Sequence, residues 1–407
     1  MREMKDSGVE WIGEIPKNWK ICRLKDYAHI CNGRDYSEVL DENGDYPVIG
    51  SGGQFAKACE PLYQKESVLL GRKGTIDKPL FVDYPFWTVD TMYYTEIKEN
   101  VSAKYFYYLC TQIEFDFYQY GSAVPSMTQR DLYNVNFPYP TLDEQRRIAN
   151  YLDRKCSQID TIIAQQQEVI EKLKAYKLSV ITEAVTKGLN PDVPMKDSGV
   201  EWIGEIPEHW DFRRIKNCCL IVDCKNRTPD PDPDGEYIVV RTTCIRDGSF
   251  SYEGSYHTNA ENFKEWTAKG QPQHGDIFFT REAPMGEACL VPDTDNLCMG
   301  QRVMFFRPLD GSDPRYILYS IYGPLAREYI DSKNKGSTVG HLKLGQVASL
   351  PLFYCPPREQ SEIANYLDKR CGAIDKVVEK KAEIISRITD YKKSLIYEVV
   401  TGKRYIR

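Results

Sequence analysis

The sequence predicts an α+β protein organised as a pseudo-two-fold tandem repeat. Two domains of mixed strands and helices are separated by two long helices that pair as an antiparallel coiled coil. Three observations predict it. The thirteen-residue segment MKDSGVEWIGEIP stands at Met4 to Pro16 and again at Met195 to Pro207. The stretch EQRRIANYLDRKCSQID from Glu144 returns as EQSEIANYLDKRCGAID from Glu359. Between these shared segments, each copy carries a body that matches its mate only at scattered positions.

The lead-in repeats at an offset of 191, which continues weakly from ICRLKD at Ile21 to FRRIKN at Phe212. Its apolar Trp11, Ile12, Ile15 and Trp19, matched by Trp202, Ile203, Ile206 and Trp210, read as an anchor seating each body on the helical frame. The bodies are rich in β-branched and aromatic residues, Gly and Pro, which predicts short strands and turns. SVLLGRKGTI from Ser67 aligns with DIFFTREAPM from Asp276, pairing Arg72 with Arg281. The offset then settles at 215, so the extra 24 residues of the second copy fall mostly before Arg281. The resulting division is 1–143 for the first body, 144–190 for the first long helix, 191–358 for the second body and 359–407 for the second long helix, with a linker at 188–194.

From Glu144 to Val185 the chain has neither Pro nor Gly, and its apolar residues keep a heptad rhythm. One seam position holds Cys156, Ile163, Ile170, Lys177 and Ala184, the other Ile159, Gln166, Leu173 and Val180. The second helix repeats this with Cys371, Val378, Ile385, Lys392 and Val399, interleaved with Ile374, Lys381, Ile388 and Leu395. Such a helix spans roughly 60 Å, more than a single body needs for its own core. The polar seam residues coincide, Gln166 with Lys381 and Lys177 with Lys392, as expected of positions that set register. The alternative is that each helix packs on its own body and these polar positions face solvent. Pro-containing approaches, FPYPTLDEQ and YCPPREQ, set up both helix starts, and Gly188, Pro191 and Pro194 end the first.

Composition bounds the function. The apolar share of 42% and charged share of 28% are ordinary for a globular protein. No apolar run approaches the roughly 18 residues of a membrane span, and the charged N-terminus lacks a secretory h-region. The 13 cysteines include no C-x-x-C pair, which points to reduced structural thiols, no metal site and a cytoplasmic setting. A net charge of −6 argues against a protein that coats nucleic acid unaided, although a local basic face or a basic partner can supply phosphate contacts.

No phosphate-binding G-x-x-x-x-G-K-[ST] loop or G-x-G-x-x-G turn appears. Asp90, Glu96 and Lys98 imitate a metal-dependent nuclease pattern, yet the second copy has Arg302, Pro308 and Asp310 at the matching positions. No catalytic residue is assigned. What remains is binding, where Gly-rich turns share a loop with basic or amide side chains able to meet phosphates and base edges. In the first body these are Gly50, Ser51, Gly52, Gly53 and Gln54, then Arg72 and Lys73, then Ser126, Thr128, Gln129 and Arg130. In the second they are Arg227, Arg241, Thr242, Thr243, Arg281, Lys333, Lys335, Ser337 and His341. Arg72 and Arg281, each just after an apolar strand, read equally well as framework salt bridges. The helix-pair seam is assigned to Ile159, Ile163, Gln166, Ile170 and Leu173 with Ile374, Val378, Lys381, Ile385 and Ile388.

Two variable bodies, each followed by a long helix that begins with an EQ-x-x-I-A-x-Y-L-D motif, resemble the specificity subunit of Type I restriction–modification systems. The GQRVMFFRP stretch at Gly300 and the GS-x-V turns at Gly121 and Gly336 look like framework motifs of that family's target-recognition domains. The first body carries WTVDTMYY in place of GQRVMFF, so contacts at Asp90 to Tyr94 do not carry over. The resemblance implies that each domain reads one half of a bipartite site in double-stranded DNA. It implies helices that set the spacing and dock two methyltransferase subunits, with restriction subunits joining that core. The chain itself would hold no cofactor, S-adenosylmethionine, Mg and ATP being expected in the partner subunits. A competing reading is a tandem-repeat coiled-coil scaffold carrying two protein-binding domains.

Overall fold

A computed structural model describes residues 2–115, 125–309, 311–334 and 340–406. The chain divides into two compact units, Met1–Gln167 with Ala382–Arg407, and Glu168–Lys381. These units are not the consecutive segments into which the sequence divides. The long helices Leu142–Lys187 and Pro357–Val400 each contribute one half to each unit.

In the first unit the lead-in is a small hairpin, Met4–Asp6 against Glu14–Pro16. Lys20–Arg23 then pairs with Asn136–Tyr139, so the body ends beside its own start. A four-stranded antiparallel sheet follows in the order Ala28–Asn32, Met92–Ile97, Ser67–Gly71 and Leu80–Val82. A three-stranded sheet of Gly53–Ala58, Tyr46–Gly50 and Trp87–Thr88 lies alongside. The alternation of strand side chains builds two cores. Val68 and Leu70 join Tyr27, Tyr105 and Phe106 on the face covered by helix Ala103–Cys110, while Leu69 joins Ile49, Val82 and Phe86 on the other.

The second unit repeats this plan. Its four-stranded sheet runs Cys219–Val222, Val303–Pro308, Ile277–Thr280 and Ala288–Leu290, with Tyr256–Thr258, Tyr237–Val240 and Leu297–Met299 as the three-stranded partner. Ile277 and Phe279 face one core and Phe278 the other. The additional length before Arg281 includes the helix Ala260–Trp266, capped by the Asn259 side chain.

The shared helix-start motif joins body to helix. Gln145 and Gln360 are fully buried. The Gln145 carboxamide accepts from the Ser102 N–H at 2.9 Å and donates to the Pro140 carbonyl at 3.1 Å. Gln360 accepts from the Asp313 N–H at 3.0 Å and donates to the Cys355 carbonyl at 2.7 Å. One turn on, Ile148, Ala149 and Leu152 and their mates Ile363, Ala364 and Leu367 are buried. Asp153 then holds Lys104 and Tyr108, as Asp368 holds Arg315 and Tyr319.

The helices start two residues earlier than Glu144 and Glu359 and stop at Lys187 and Val400, short of the expected ends. Pro357 needs no N–H at a first helical position, and Gly188 (φ +72°) and Gly402 (φ +76°) take the left-handed conformation that ends a helix. In each unit the two helix segments run antiparallel. Ile159 and Ile374 are buried, and Ile163, Gln166, Ile170, Leu173, Val378, Lys381, Ile385 and Ile388 are half-buried. Lys177 reaches Asp375 in the second unit and Lys392 reaches Asp160 in the first. Lys177 and Lys392 are therefore partnered across the helix pair, and the solvent-facing alternative fails for these two.

The lead-ins explain their own duplication. In the first unit Ile12, Ile15 and Trp19 are buried, the Tyr397 hydroxyl donates to the Ile12 carbonyl, and a Cβ on Gly402 would lie 2.6 Å from Pro16. In the second unit Ile206 and Trp210 are buried against the end of the other long helix, with Lys187 donating to the Ile203 carbonyl. Each copy thus meets an equivalent helix end. The anchor expectation needs one correction, because Trp202 is 49% exposed. Its mate Trp11 packs edge-on against Phe137, whereas the second copy has Leu352 at that position and offers no ring.

Candidate nucleic-acid interface

In the first unit, the register Asn32↔Tyr93 and Gly71↔Met92 puts the ends of two sheet strands and the start of a third at one end of the sheet. The connecting segments converge there. The Arg72 N–H donates to the Thr91 carbonyl, and the Met127 N–H donates to the Arg72 carbonyl at 3.0 Å. Lys73 forms a bridge with Ser126. The Gly74 N–H donates to Pro125, and a Cβ on Gly74 would come within 3.1 Å of the Ser51 hydroxyl. Gln129 donates to Asn32 at 3.3 Å. Three segments that sequence reasoning named separately, 50–54, 72–73 and 126–130, therefore form one surface.

Within that surface the residues differ in what they can do. Gly52 has open space around it, Gly53 (φ +105°) makes the turn, and Gln54, Lys73 and Arg130 are exposed. Lys73 and Arg130 make no salt bridge among the described residues. Arg72 is half-buried, donating to the Asp90 carbonyl at 3.3 Å with its guanidinium 6.0 Å over Tyr93. Two expectations change role. Gly50 is buried, and a Cβ there would meet Phe55 at 3.1 Å, so it is a packing glycine. Thr128 caps the helix Gln129–Asn134 by accepting from the Asp131 N–H.

The second unit builds the same sheet end, with Val222↔Phe305 and Thr280↔Val303 in register. Thr242 donates to the Ala283 carbonyl at 3.0 Å, reproducing the approach of Ser51 to Gly74. Arg281 donates to both oxygens of Asp223 at 2.9 and 3.0 Å and to the Leu342 carbonyl at 3.0 Å. Its side chain is 12% exposed, so Arg281 is a framework ion pair and not a free contact. The first copy has Asn32 where the second has Asp223, which leaves Arg72 without this carboxylate. His341 is likewise engaged, paired with Glu282, which also holds Arg302 at 2.7 Å. Arg227 and Lys225 share Glu265 and lie 4.8 and 4.7 Å over the Trp266 ring. Arg241 reaches the Gly254 carbonyl at 3.4 Å, Thr243 is exposed, and Lys333 lies 4.9 Å over Tyr329. Lys335 and Ser337, and the turn residues Gly121 and Gly336, lie outside the described residues.

The nuclease-like trio does not assemble. Glu96 pairs with His29 near the far end of its strand, where Lys98 donates to the Lys25 carbonyl at 2.7 Å. Asp90 precedes that strand, about 20 Å away along an extended chain. Among the described residues no group of three His, Cys, Asp or Glu side chains is placed to hold a metal ion. All thirteen cysteines are free thiols, and burial pushes Cys289 and Cys298 up to about 12, well away from the thiolate form that binds metals. No described helix is long and apolar enough to cross a membrane.

Sequence reasoning did not name Lys225, Glu265 and Trp266 at the second sheet end, or Arg34, whose N–H donates to the Thr88 carbonyl at the first. The offset of 191 pairs Arg34 with Lys225. A signal for these two existed, since that offset aligns CNGR with VDCK just after an apolar strand. Glu265 and Trp266 belong to the helix that only the second copy contains, so the repeat could not point to them.

Comparison with known proteins agrees with this architecture. The family model for the Type I restriction modification DNA specificity domain matches residues 16–172 and 207–386. The Type I restriction enzyme MjaVIII specificity subunit of Methanocaldococcus jannaschii is 21% identical, over 96% of this chain and 93% of its own. The EcoDI specificity subunit of Escherichia coli is 17% identical, over 96% and 90%. A solved chain from work on complex assembly and conformational transition of the type I R-M system superposes with a TM-score of 0.66 at 14% identity, covering 96% of this chain and 99% of that one. Matched twice, once on each body and the helix that follows it, the chain belongs to the Type I restriction modification DNA specificity domain family.

Proposed function

We propose that this chain is the DNA-specificity subunit of a Type I restriction–modification complex and that each unit reads one half of a bipartite duplex site. The observation that carries this reading is the twofold recurrence of one sheet-end surface, built from different side chains on the same frame. A shared frame with divergent loops suits two different half-sites and is not needed for a single ligand. The helix pair sets the spacing between half-sites and offers docking surfaces to two methyltransferase subunits, with restriction subunits joining that core. S-adenosylmethionine, Mg and ATP belong to those partners, and the chain itself specifies sequence without catalysing a reaction. Its setting is the cytoplasm.

A net charge of −6 and a second surface whose cations are mostly ion-paired leave little phosphate affinity in the chain alone. Long-read methylation mapping with and without the gene tests the reading. Loss of N6-methyladenine at a single bipartite motif is expected on deletion, and an unchanged methylome refutes it in favour of a protein-binding scaffold.

A further inference from the structure

Each unit fixes one arginine on the loop that leaves its four-stranded sheet at the recognition end, and each does so with a tryptophan. In the first unit the Arg34 N–H donates to the Thr88 carbonyl at 2.9 Å, and the Arg34 carbonyl accepts from the Trp87 indole N–H at 3.1 Å. The preceding Gly33 lies so close to this strand that a Cβ would overlap the Val89 carbonyl oxygen. The Arg34 backbone is thus clamped on three counts while its side chain is exposed. No salt bridge among the described residues ties its guanidinium, and the neighbouring Asp35 carboxylate is turned to the Ser37 N–H at 2.7 Å.

In the second unit the Arg227 carbonyl accepts from the Trp266 indole N–H, also at 3.1 Å, and the Arg227 guanidinium lies 4.8 Å over that same ring. The two tryptophans are not repeat mates. Trp87 sits in strand Trp87–Thr88, and Trp266 ends the helix Ala260–Trp266 that the first copy lacks. Two unrelated elements therefore deliver an indole to the same task.

From this we infer that Arg34 and Arg227, which are not repeat mates (Arg34 aligns with Lys225) but share an indole-bound carbonyl, are the specificity-determining residues of the two surfaces, each donating to a guanine edge in the major groove of its half-site. This rests on the DNA-reading function proposed above. A clamped backbone, and in Arg227 a stacked guanidinium, reduce the freedom lost when the planar fork meets O6 and N7 of guanine. Lys73 has no planar fork and suits phosphates, which tolerate imprecise placement. Glu265 keeps Arg227 paired until a base edge replaces it, so the second surface resists sequences that offer no acceptor there.

The test is methylation mapping in a host carrying the full complex with Arg34→Ala, Arg34→Lys, Arg227→Ala or Arg227→Lys. The wild-type complex must first show a bipartite motif, and its absence would overturn the parent reading separately. Arg34→Ala is expected to relax one guanine position in one half-site by roughly 5- to 150-fold and leave the other half unchanged, with Arg227→Ala doing the converse. The lysine variants keep the charge but lose the fork, so they should relax the same position as alanine. Should an alanine variant abolish methylation altogether, the lysine variant decides. Restoration of the wild-type motif by lysine, an unaltered motif in alanine, or equal weakening at every sequence would each overturn the assignment, the last two marking a bystander and a phosphate contact.

Discussion

Lys177 donates to both carboxylate oxygens of Asp375 at 2.8 Å, joining the two long helices within the second unit. The offset of 215 that relates the two copies converts this pair into Asp160 and Lys392, which meet in the first unit at 2.6 and 2.7 Å. One register of an antiparallel helix pair satisfies both. The lysines are mostly covered and the aspartates exposed, so each pair contributes about 0.2–1 kcal/mol and acts chiefly on register. Charge reversal at both lysines, Lys177→Asp with Lys392→Asp, should lower the urea midpoint, and adding Asp160→Lys with Asp375→Lys should restore most of it. Failure of the quadruple variant to recover would show that these pairs do not set the register.

The same register makes the helix pair a testable spacer. Seven residues inserted after Gln166 alone cannot keep both ion pairs, so assembly should fail or the recognised spacer should change. Matching insertions after Gln166 and after Lys381 keep both pairs and lengthen the helices by about 10 Å. That corresponds to about three base pairs at ~3.4 Å each. Methylation mapping of the doubly inserted chain should report a longer gap, and an unchanged gap would remove the spacing role.

Gln360 links the start of the second long helix to its body through two fully buried hydrogen bonds. Gln360→Ala leaves the Asp313 N–H and the Cys355 carbonyl without partners, at a cost of about 2–4 kcal/mol. Gln145→Ala should cost about as much in the first unit. Denaturant unfolding of each variant within the assembled complex measures it.

The lead-in tryptophans should separate sharply. Trp210 is fully buried and its indole donates to Glu359 at 3.1 Å, so Trp210→Ala should cost about 3–5 kcal/mol. Trp202→Ala should change stability by no more than about 0.5 kcal/mol, because half of the side chain already faces solvent. Neither change should alter the recognised sequence, since both residues belong to the lead-in and not to the loops at the sheet end.

Acid should loosen the start of the helix Pro314–Tyr322, which the Asp313 carboxylate caps. Burial raises the Asp313 carboxyl, but hydrogen bonds from Arg315 outweigh it and hold the group below its ordinary value of 3.8. A lowered folded-state value stabilises the protein fully above the ordinary carboxylate range, and this is lost as the pH falls through the lowered value. Arg315→Met should therefore remove most of this contribution at neutral pH and make acid unfolding begin at higher pH, which circular dichroism across pH 2–6 would follow.

The repeat, the heptads and the helix-start motif are one-dimensional patterns, and they carried the fold class and the pairing of helices. A thirteen-residue identity needs no coordinates to be seen, and an apolar residue at every third or fourth position selects a helix whatever surrounds it. The recognition residues were legible only as separate loops. Backbone pairing at the sheet end put Lys73 beside Ser126, and close packing put Gly74 beside Ser51, because strand register and not chain distance decides which loops meet. The choice between contact and framework for Arg281 likewise waited on Asp223, a residue 58 positions away whose carboxylate takes the guanidinium. Spacing along the chain determines periodic structure, whereas the partner of a charged side chain is set by whatever the fold places within about 3 Å of it.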